Sequence, residues 1–259
     1  MTDIRTQAQG AVFEIAFERP ARRNAITAAM YDALSNGIAR AEGNRAIRVM
    51  LLHGTADVFT AGNDIEDFVQ RPPQGEDAPV FRFLRTMSQA KKPIVAAVNG
   101  PAVGIGTTLL LHCDLVYAAE DARFQLPFIS LGVVPEFASS YLLPLVAEYQ
   151  RAAELMLLGE PFDARKAYEC GFITRLVPAT ETLSTARAAA ARLASLPGKS
   201  VRAAKALMKA PHSAAVAAQL QAESVQFRTM LSEPAAREAL AAFLEKRKPV
   251  FRQENGDDR

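Results

Sequence analysis

Few residues in this chain could do chemistry, and the acid with the most unusual setting is Glu136. In "VVPEFASS", residues 133–140, it follows a proline and stands between apolar and small residues. A carboxylate there either serves as a first-turn acid beside a helix dipole or is the base of an apolar pocket, where burial raises its pKa. Two glycine-containing turns each follow a buried-strand pattern: "FTAGNDI" (59–65) and "NGPAVGIG" (99–106). Glycine reaches φ > 0 and lets the backbone come close to a ligand. The second turn runs toward a helix, whose first N–H groups are unpaired and suit an anion or a developing oxyanion. It is neither a Walker loop, since no Gly-Lys-Ser/Thr follows, nor a good dinucleotide fingerprint. Taken singly, each turn also reads as a plain tight turn. His53, His112 and His212 are the only histidines and Cys113 and Cys170 the only cysteines, and their spacing makes no zinc site. Both cysteines read as reduced core residues.

These residues need elements to hold them. "AVFEIAF" (11–17) alternates and predicts a strand; "IRVMLLHG" (47–54), "PIVAAV" (93–98) and "DLVYAAE" (114–120) predict buried strands. "TAAMYDALSNGIARAEG" (27–43) begins on a capping threonine, carries apolar residues at helical spacing and ends on Gly43. "NGPAVGIGTTLLLHC" (99–113) reads as a turn opening into a helix. "ARFQLP" reads as a short extended piece and "FITRLVP" (172–178) as the last strand. The segment 69–80 has three prolines and a glycine and reads as a mobile loop, with a helix following to about Ala90. From residue 137 the pattern turns helical, and 181–196, 198–210, 213–230 and 233–247 read as alanine-rich helices. The last seven residues, 253–259, read as frayed. Strand–helix alternation followed by a helical tail argues an α/β core with a C-terminal helical appendage.

The composition is that of an ordinary globular chain: 259 residues, 49% hydrophobic and 22% charged. Lys+Arg 30 against Asp+Glu 28 gives net +2, too balanced for nucleic acid as the main partner. The N-terminus has no apolar core of a signal peptide. The longest apolar run, "LLLHCDLVYAA", contains His112 and Asp114 and is too short to span a bilayer. The reading is a cytoplasmic protein with no membrane partner and no metal.

Several motifs in order along nearly the whole chain resemble the crotonase family, the enoyl-CoA hydratase/isomerase superfamily. "ERPARRNAIT" is similar to its "RP…NA" signature and "FTAGNDI" to its A-G-x-D loop. "PIVAAVNGPAVGIG" is similar to its glycine-rich stretch, and "CDLVYAAEDARFQLPFISLGVVP" continues in register. "GEPFDARKAYECGFITRLVP" and "FLEKRKPVF" resemble its later blocks. The resemblance implies an α/β fold, a spiral of ββα units over residues 1–196, with a C-terminal helical trimerisation region over 197–259. It implies an acyl-CoA thioester substrate, no resident cofactor because coenzyme A is part of the substrate, and a homotrimer or dimer of trimers.

Carried over residue by residue, the resemblance implies that the backbone N–H groups of Asn63 and Ile105 polarise a thioester carbonyl. Ile105 departs from the family, which has a glycine there. Hydratases of the family use two glutamates to add water, and this chain has Thr108 and Phe128 at those positions. Glu136 matches the position of the single glutamate in the Δ3,Δ2-enoyl-CoA isomerase branch. The implied reaction is a shift of a double bond from 3,4 to 2,3 by one base. The alternatives are a hydratase of low activity and a non-catalytic acyl-CoA-binding or assembly subunit. A dehalogenase, in which an aspartate at the Glu136 position is the nucleophile, is disfavoured, because the histidine that activates water there has no counterpart near Arg85. The resemblance further implies coenzyme A or substrate contacts at Arg22, Arg23, Ala61, Gly62, Asp64, Ile65, Phe128, Phe243 and Lys246. Phe83, Phe128, Phe137 and the loop 69–80 are expected to shape the acyl pocket. Asp64 reads chiefly as a turn-fixing residue.

Overall fold

The computed structural model describes residues 3–251; the end expected to fray, 253–259, lies outside the described residues. The elements in chain order are β1 (Ile4–Gln9), β2 (Val12–Phe17), α1 (Ala28–Gly43), β3 (Val49–His53), α2 (Ile65–Gln70), α3 (Pro79–Ser88), β4 (Ile94–Val98), β5 (Pro101–Val103) and α4 (Ile105–Thr108). There follow β6 (Leu115–Ala119), β7 (Arg123–Gln125), α5 (Ser139–Ala147), α6 (Tyr149–Ala153), β8 (Phe162–Asp163), α7 (Ala164–Glu169), β9 (Arg175–Val177), α8 (Thr182–Ser195), α9 (Gly198–Leu231) and α10 (Pro234–Leu244).

Strands β2, β3 and β4 are buried at every residue. That is the pattern of a sheet covered on both faces. They belong to a six-stranded sheet of order β1-β2-β3-β4-β6-β9, parallel except where β1 pairs antiparallel with β2. One face is covered by α8. Its Ala186, Ala190 and Ala194 repeat every four residues and pack on Val49, Leu51, Val95 and Tyr117. Small side chains at that spacing bring the helix close to the sheet. The other face carries the main core, with Phe17, Phe59, Phe83, Phe124 and Phe137 fully buried. A second sheet, β5-β7-β8, stands beside this core. Mixed α/β architecture built from strand–helix repeats is therefore what forms.

Several elements differ from the sequence expectations, among them strand β8 within the stretch expected to be helical. Polar β1 forms a strand because it is an edge partner closed onto β2 through Gly10, at φ +59. The glycine-rich stretch is not a turn running into one long helix. It is a three-residue strand, a break at Gly104 (φ +55), a one-turn helix and then a 3₁₀ turn over Leu109–His112. The helices expected at 198–210 and 213–230 are a single helix, α9, that runs through Pro211. Proline removes one N–H from the ladder and frees the carbonyl four residues back. That carbonyl belongs to Leu207, which is 74% exposed, so water can serve it.

The boundary expected at residue 196 falls between α8 and α9. The helices beyond it share the main core: Leu220, Phe227 and Ala236 belong to the same apolar cluster as the sheet residues. Among the described residues no helix is long and apolar enough to cross a membrane.

Candidate active site

The site begins with Asn24 of the "RP…NA" segment. Asn24 is fully buried and left-handed (φ +55), a conformation asparagine tolerates better than most residues. Its Nδ2 donates to the carbonyls of Val58 (3.0 Å) and Phe59 (3.1 Å), and its own carbonyl accepts from Thr60 Oγ1 (2.7 Å). These bonds fix the backbone that leads into the A-G-x-D turn. Ile26 N–H then donates to Gly62 O (2.8 Å), and Asp64 N–H donates to Ile26 O (2.9 Å). In such a bridge the residue between, Asn63, turns its own N–H to the opposite side. Asp64 completes the turn. Its carboxylate caps α2 by accepting from Asp67 N–H (3.1 Å) and pairs with Arg19 (2.6 Å). Burial alone would raise that carboxyl; the bonds from Arg19 and Asp67 hold it below its usual range.

The second turn lies against the first. Gly62 has φ +86, and a Cβ there would stand 2.7 Å from Val103 O. Val103 N–H donates to Thr60 O (3.1 Å), and Gly104 N–H donates to Gln125 O (2.9 Å). Among the described residues the N–H groups of Asn63 and Ile105 have no hydrogen-bond partner. Asn63 and Ile105 line one cavity of about 290 Å³. Ala61, Gly62, Ile65, Phe128 and Phe243, expected from the sequence, line it as well, with Phe68, Phe227 and Leu240 completing an apolar wall.

Glu136 is buried (6% exposed) and accepts a hydrogen bond from Thr108 Oγ1 at 2.6 Å. It is not one of the residues lining the cavity. One link joins it to that wall: Thr108 shares the one-turn helix with Ile105. Tyr31, whose proton affinity rises through burial and then through Glu136's charge, donates its hydroxyl to Asn63 Oδ1 (2.5 Å). Burial pushes the Glu136 carboxyl up to about 8; the Thr108 hydroxyl pulls against this, and the nearby Glu223 carboxylate adds to it. Such an acid is mostly protonated at neutral pH yet close enough to ionise, the range that suits proton transfer.

The backbone after Glu136 is unusual. Phe137 (φ +66) and Ala138 (φ +53) are both left-handed. Two such non-glycine residues in succession persist only where surroundings impose them. The imposing groups are distant in sequence. His112 Nε2 bonds Phe137 O at 2.7 Å, and the ring stacks on Phe137 with centroids 4.0 Å apart. Burial keeps His112 neutral, with its pKa down at about 3, so Nε2 is the donor. Glu223 of α9 accepts from Ala138 N–H (2.5 Å), Ser140 N–H (3.0 Å) and Ser140 Oγ (2.5 Å).

Other expected residues lie apart from the cavity wall. Arg22 and Arg23 are exposed, Arg22 pairing with Glu66 at 2.9 Å. Lys246 is exposed just beyond α10, three residues after Phe243. Phe83 and Phe137 form an edge-to-face pair in the core with centroids 5.8 Å apart, rather than lining the cavity. The first part of the loop 69–80 lines a neighbouring groove with α10, sharing Phe68, Leu231 and Leu240 with the cavity. A larger groove of about 510 Å³ between α3 and α9 holds none of the expected site residues.

Sequence reasoning missed Tyr31 and Glu223. Tyr31 sits among Met30, Leu34 and Ile38 on the buried face of α1 and reads as core. Glu223 carried a usable signal: it is an acid between Leu220 and Phe227 on the buried face of α9, at helical spacing.

The sequence matches the family model described as Enoyl-CoA hydratase/isomerase over residues 7–254. It is 35% identical over 212 residues to Enoyl-CoA delta isomerase 2 of Rattus norvegicus, covering 80% of this chain and 54% of that protein. The chain thus spans about half the length of that relative and a similar share (57%) of Enoyl-CoA delta isomerase 3, peroxisomal, of Mus musculus. It is 32% identical to 2,3-dehydroadipyl-CoA hydratase of Escherichia coli (strain K12), over 97% of this chain and 99% of that one. The fold is similar to a crystal structure of an enoyl-CoA hydratase/isomerase from Pseudoalteromonas atlantica T6c, with TM-score 0.92 and 40% identity over 96% of this chain and all of the other.

Proposed function

The chain belongs to the enoyl-CoA hydratase/isomerase family, and on that premise we propose that it moves a double bond from the 3,4 to the 2,3 position of an enoyl-CoA thioester. The observation that carries this reading is the buried acid Glu136, bonded to Thr108 of the one-turn helix that begins at Ile105, whose unpaired N–H lines one cavity with that of Asn63.

The thioester oxygen accepts from Asn63 N–H and Ile105 N–H. Glu136 as carboxylate removes a proton from C2. The C2–H electron pair moves toward the carbonyl, giving a dienolate whose oxygen charge is met by the two amides. Glu136, now protonated, returns the proton to C4; the enolate pair re-forms the carbonyl and the double bond settles between C2 and C3. One acid suffices, and no water enters. Phe128, buried at 4% exposure, presents an apolar ring where a hydratase would hold a second glutamate. Glu223 does not substitute for that acid, since both its oxygens are engaged by Ala138 and Ser140. Conjugation with the thioester favours the product. No resident cofactor takes part in this scheme.

The exposed cations Arg22, Arg23 and Lys246 are proposed to meet the phosphates of coenzyme A, and Phe243, 59% exposed at the cavity edge, its adenine or acyl portion. Self-association into trimers is supported by exposed apolar residues on the consecutive segments 139–158: Leu145, Val146, Tyr149, Leu157 and Leu158. In this proposal the helices after 197 contribute further contacts between subunits.

The test is conversion of a 3-enoyl-CoA to the conjugated 2-enoyl-CoA, followed by absorbance. Wild type is expected to isomerise, and Glu136→Gln to lose about 10²–10⁴-fold in kcat while still binding acyl-CoA. Water addition to 2-enoyl-CoA by wild type would favour a hydratase. Binding with neither reaction would favour a non-catalytic subunit.

A further inference from the structure

Glu223 is a buried carboxylate that the scheme above leaves without a chemical task. It projects from α9 at 5% exposure and gathers three donors, Ala138 N–H, Ser140 N–H and Ser140 Oγ–H. Gln219, one helical turn earlier, donates to the same Ser140 Oγ at 2.8 Å and fixes the hydroxyl's orientation. A packing role alone would be met by an apolar residue such as its neighbours Leu220 and Phe227. Burying a carboxylate is costly unless its acceptors are filled, and here all three donors come from the turn immediately after Glu136.

We propose that Glu223 is a positioning residue for Glu136: from α9 it holds the left-handed Phe137–Ala138 turn in the one conformation that directs the acid toward the acyl group. The assignment of Glu136 as the base rests on the proposed isomerase reading; the hold that Glu223 exerts on the turn does not. Phenylalanine and alanine do not adopt the left-handed region unaided, and both residues do so here. The bonds from Ala138 N–H and Ser140 N–H satisfy the amides that this reversal leaves open at the start of α5. His112 secures the carbonyl side of the same turn through Phe137 O.

The arrangement also couples two charges. Glu223 titrates at about 7, pushed up by burial and drawn down by its bonds from Ser140 and Ala138, and its charge raises Glu136. Of the other titratable groups packed nearby, burial holds Tyr31 neutral well above its ordinary range and His112 neutral with a pKa of about 3. Lys205 and Lys209 of α9 act on His112. Glu136 and Glu223 are therefore the two neighbouring carboxyls that burial raises into the working range.

The test compares wild type with Glu223→Gln, Glu223→Asp and Ser140→Ala. In Glu223→Gln one oxygen becomes an NH₂ that faces a backbone N–H, so the turn loses part of its hold. The expected result is a fall in kcat of tenfold or more with KM within twofold, and a Glu136 carboxyl that titrates at lower pH by ¹³C-glutamate NMR. Ser140→Ala removes one of three bonds and leaves both backbone donors in place; kcat is expected to fall only two- to threefold. A folded Glu223→Gln protein with wild-type kcat overturns the proposal. If that variant does not fold, Glu223→Asp decides: the shortened acid cannot span both amides, and wild-type kcat in it overturns the proposal equally. If wild type isomerises no enoyl-CoA, the proposed function is lost, and amide hydrogen exchange then judges the hold on the turn: unchanged protection of the Ala138 and Ser140 amides in Glu223→Gln overturns it.

Discussion

Replacing Glu136 by glutamine should change the pH dependence of stability, whether or not any substrate is turned over. In the folded protein burial raises the carboxyl from 4.5 to about 8. At about 1.4 kcal/mol per decade of proton affinity, that interval corresponds to about 5 kcal/mol. The folded chain keeps a proton that the unfolded chain has already released between those two values. Its contribution is fully present below pH 4.5 and is lost as pH rises through 8. From pH 5 to pH 8 the wild-type protein should lose up to about 4 kcal/mol through this one group. Glutamine has the same shape, can still accept from Thr108 and does not titrate. Urea unfolding followed by circular dichroism at pH 5, 6.5, 8 and 9, at fixed ionic strength and protein concentration, measures the difference. The Gln variant should gain on wild type steadily up to about pH 8 and then run parallel to it. Glu223 titrates in the same direction in both proteins and largely cancels in the comparison. A difference that stays flat from pH 5 to pH 9 would refute the reasoning, because it would mean that Glu136 is ionised or solvated in the folded state.

Thr108→Val removes the hydroxyl that stabilises ionised Glu136, so the rising limb of kcat/KM against pH should move to higher pH; a pH–rate profile checks it. Tyr31→Phe frees the Asn63 side chain and should lower kcat/KM about tenfold, at a stability cost of about 1 kcal/mol in thermal unfolding. Gly62→Ala combines a strained φ of +86 with a Cβ 2.7 Å from Val103 O, so it should push the two turns apart and abolish isomerisation while lowering stability by about 1–3 kcal/mol; activity and unfolding measured on the same preparation test both parts.

The buried strands were legible because continuous apolar runs such as "VMLLH" and "IVAAV" have few other solutions at that length. The first helix was legible from its Thr27 cap, which accepts from Met30 N–H at 3.3 Å. Strands β5 and β8, of three and two residues, were not, because so short a ladder is held by its neighbours rather than by propensity. Within the site, the residues of the two turns are brought to one cavity as their glycines suggested. The conformation around Glu136 was hidden. Phe137 and Ala138 carry no left-handed preference, and what holds them comes from His112 on one side and Glu223 on the other. Proline normally ends a helix, so Pro211 suggested a break; the helix nevertheless continues, with Leu207, four residues earlier, on its exposed side.

The bond from Ala138 N–H to Glu223 spans 85 residues of chain. In synthesis from the N-terminus, β1 through β9 and the turn at Glu136 are all made before residue 223 exists. The sheet can close at that stage, since its strands pair with one another. The acid cannot take its final orientation until α9 has been made and docked. Closure of the sheet can therefore precede both the site and the part of the core that α9 and α10 complete, and a chain ending after α8 would carry its sheet strands but an unset Glu136 turn.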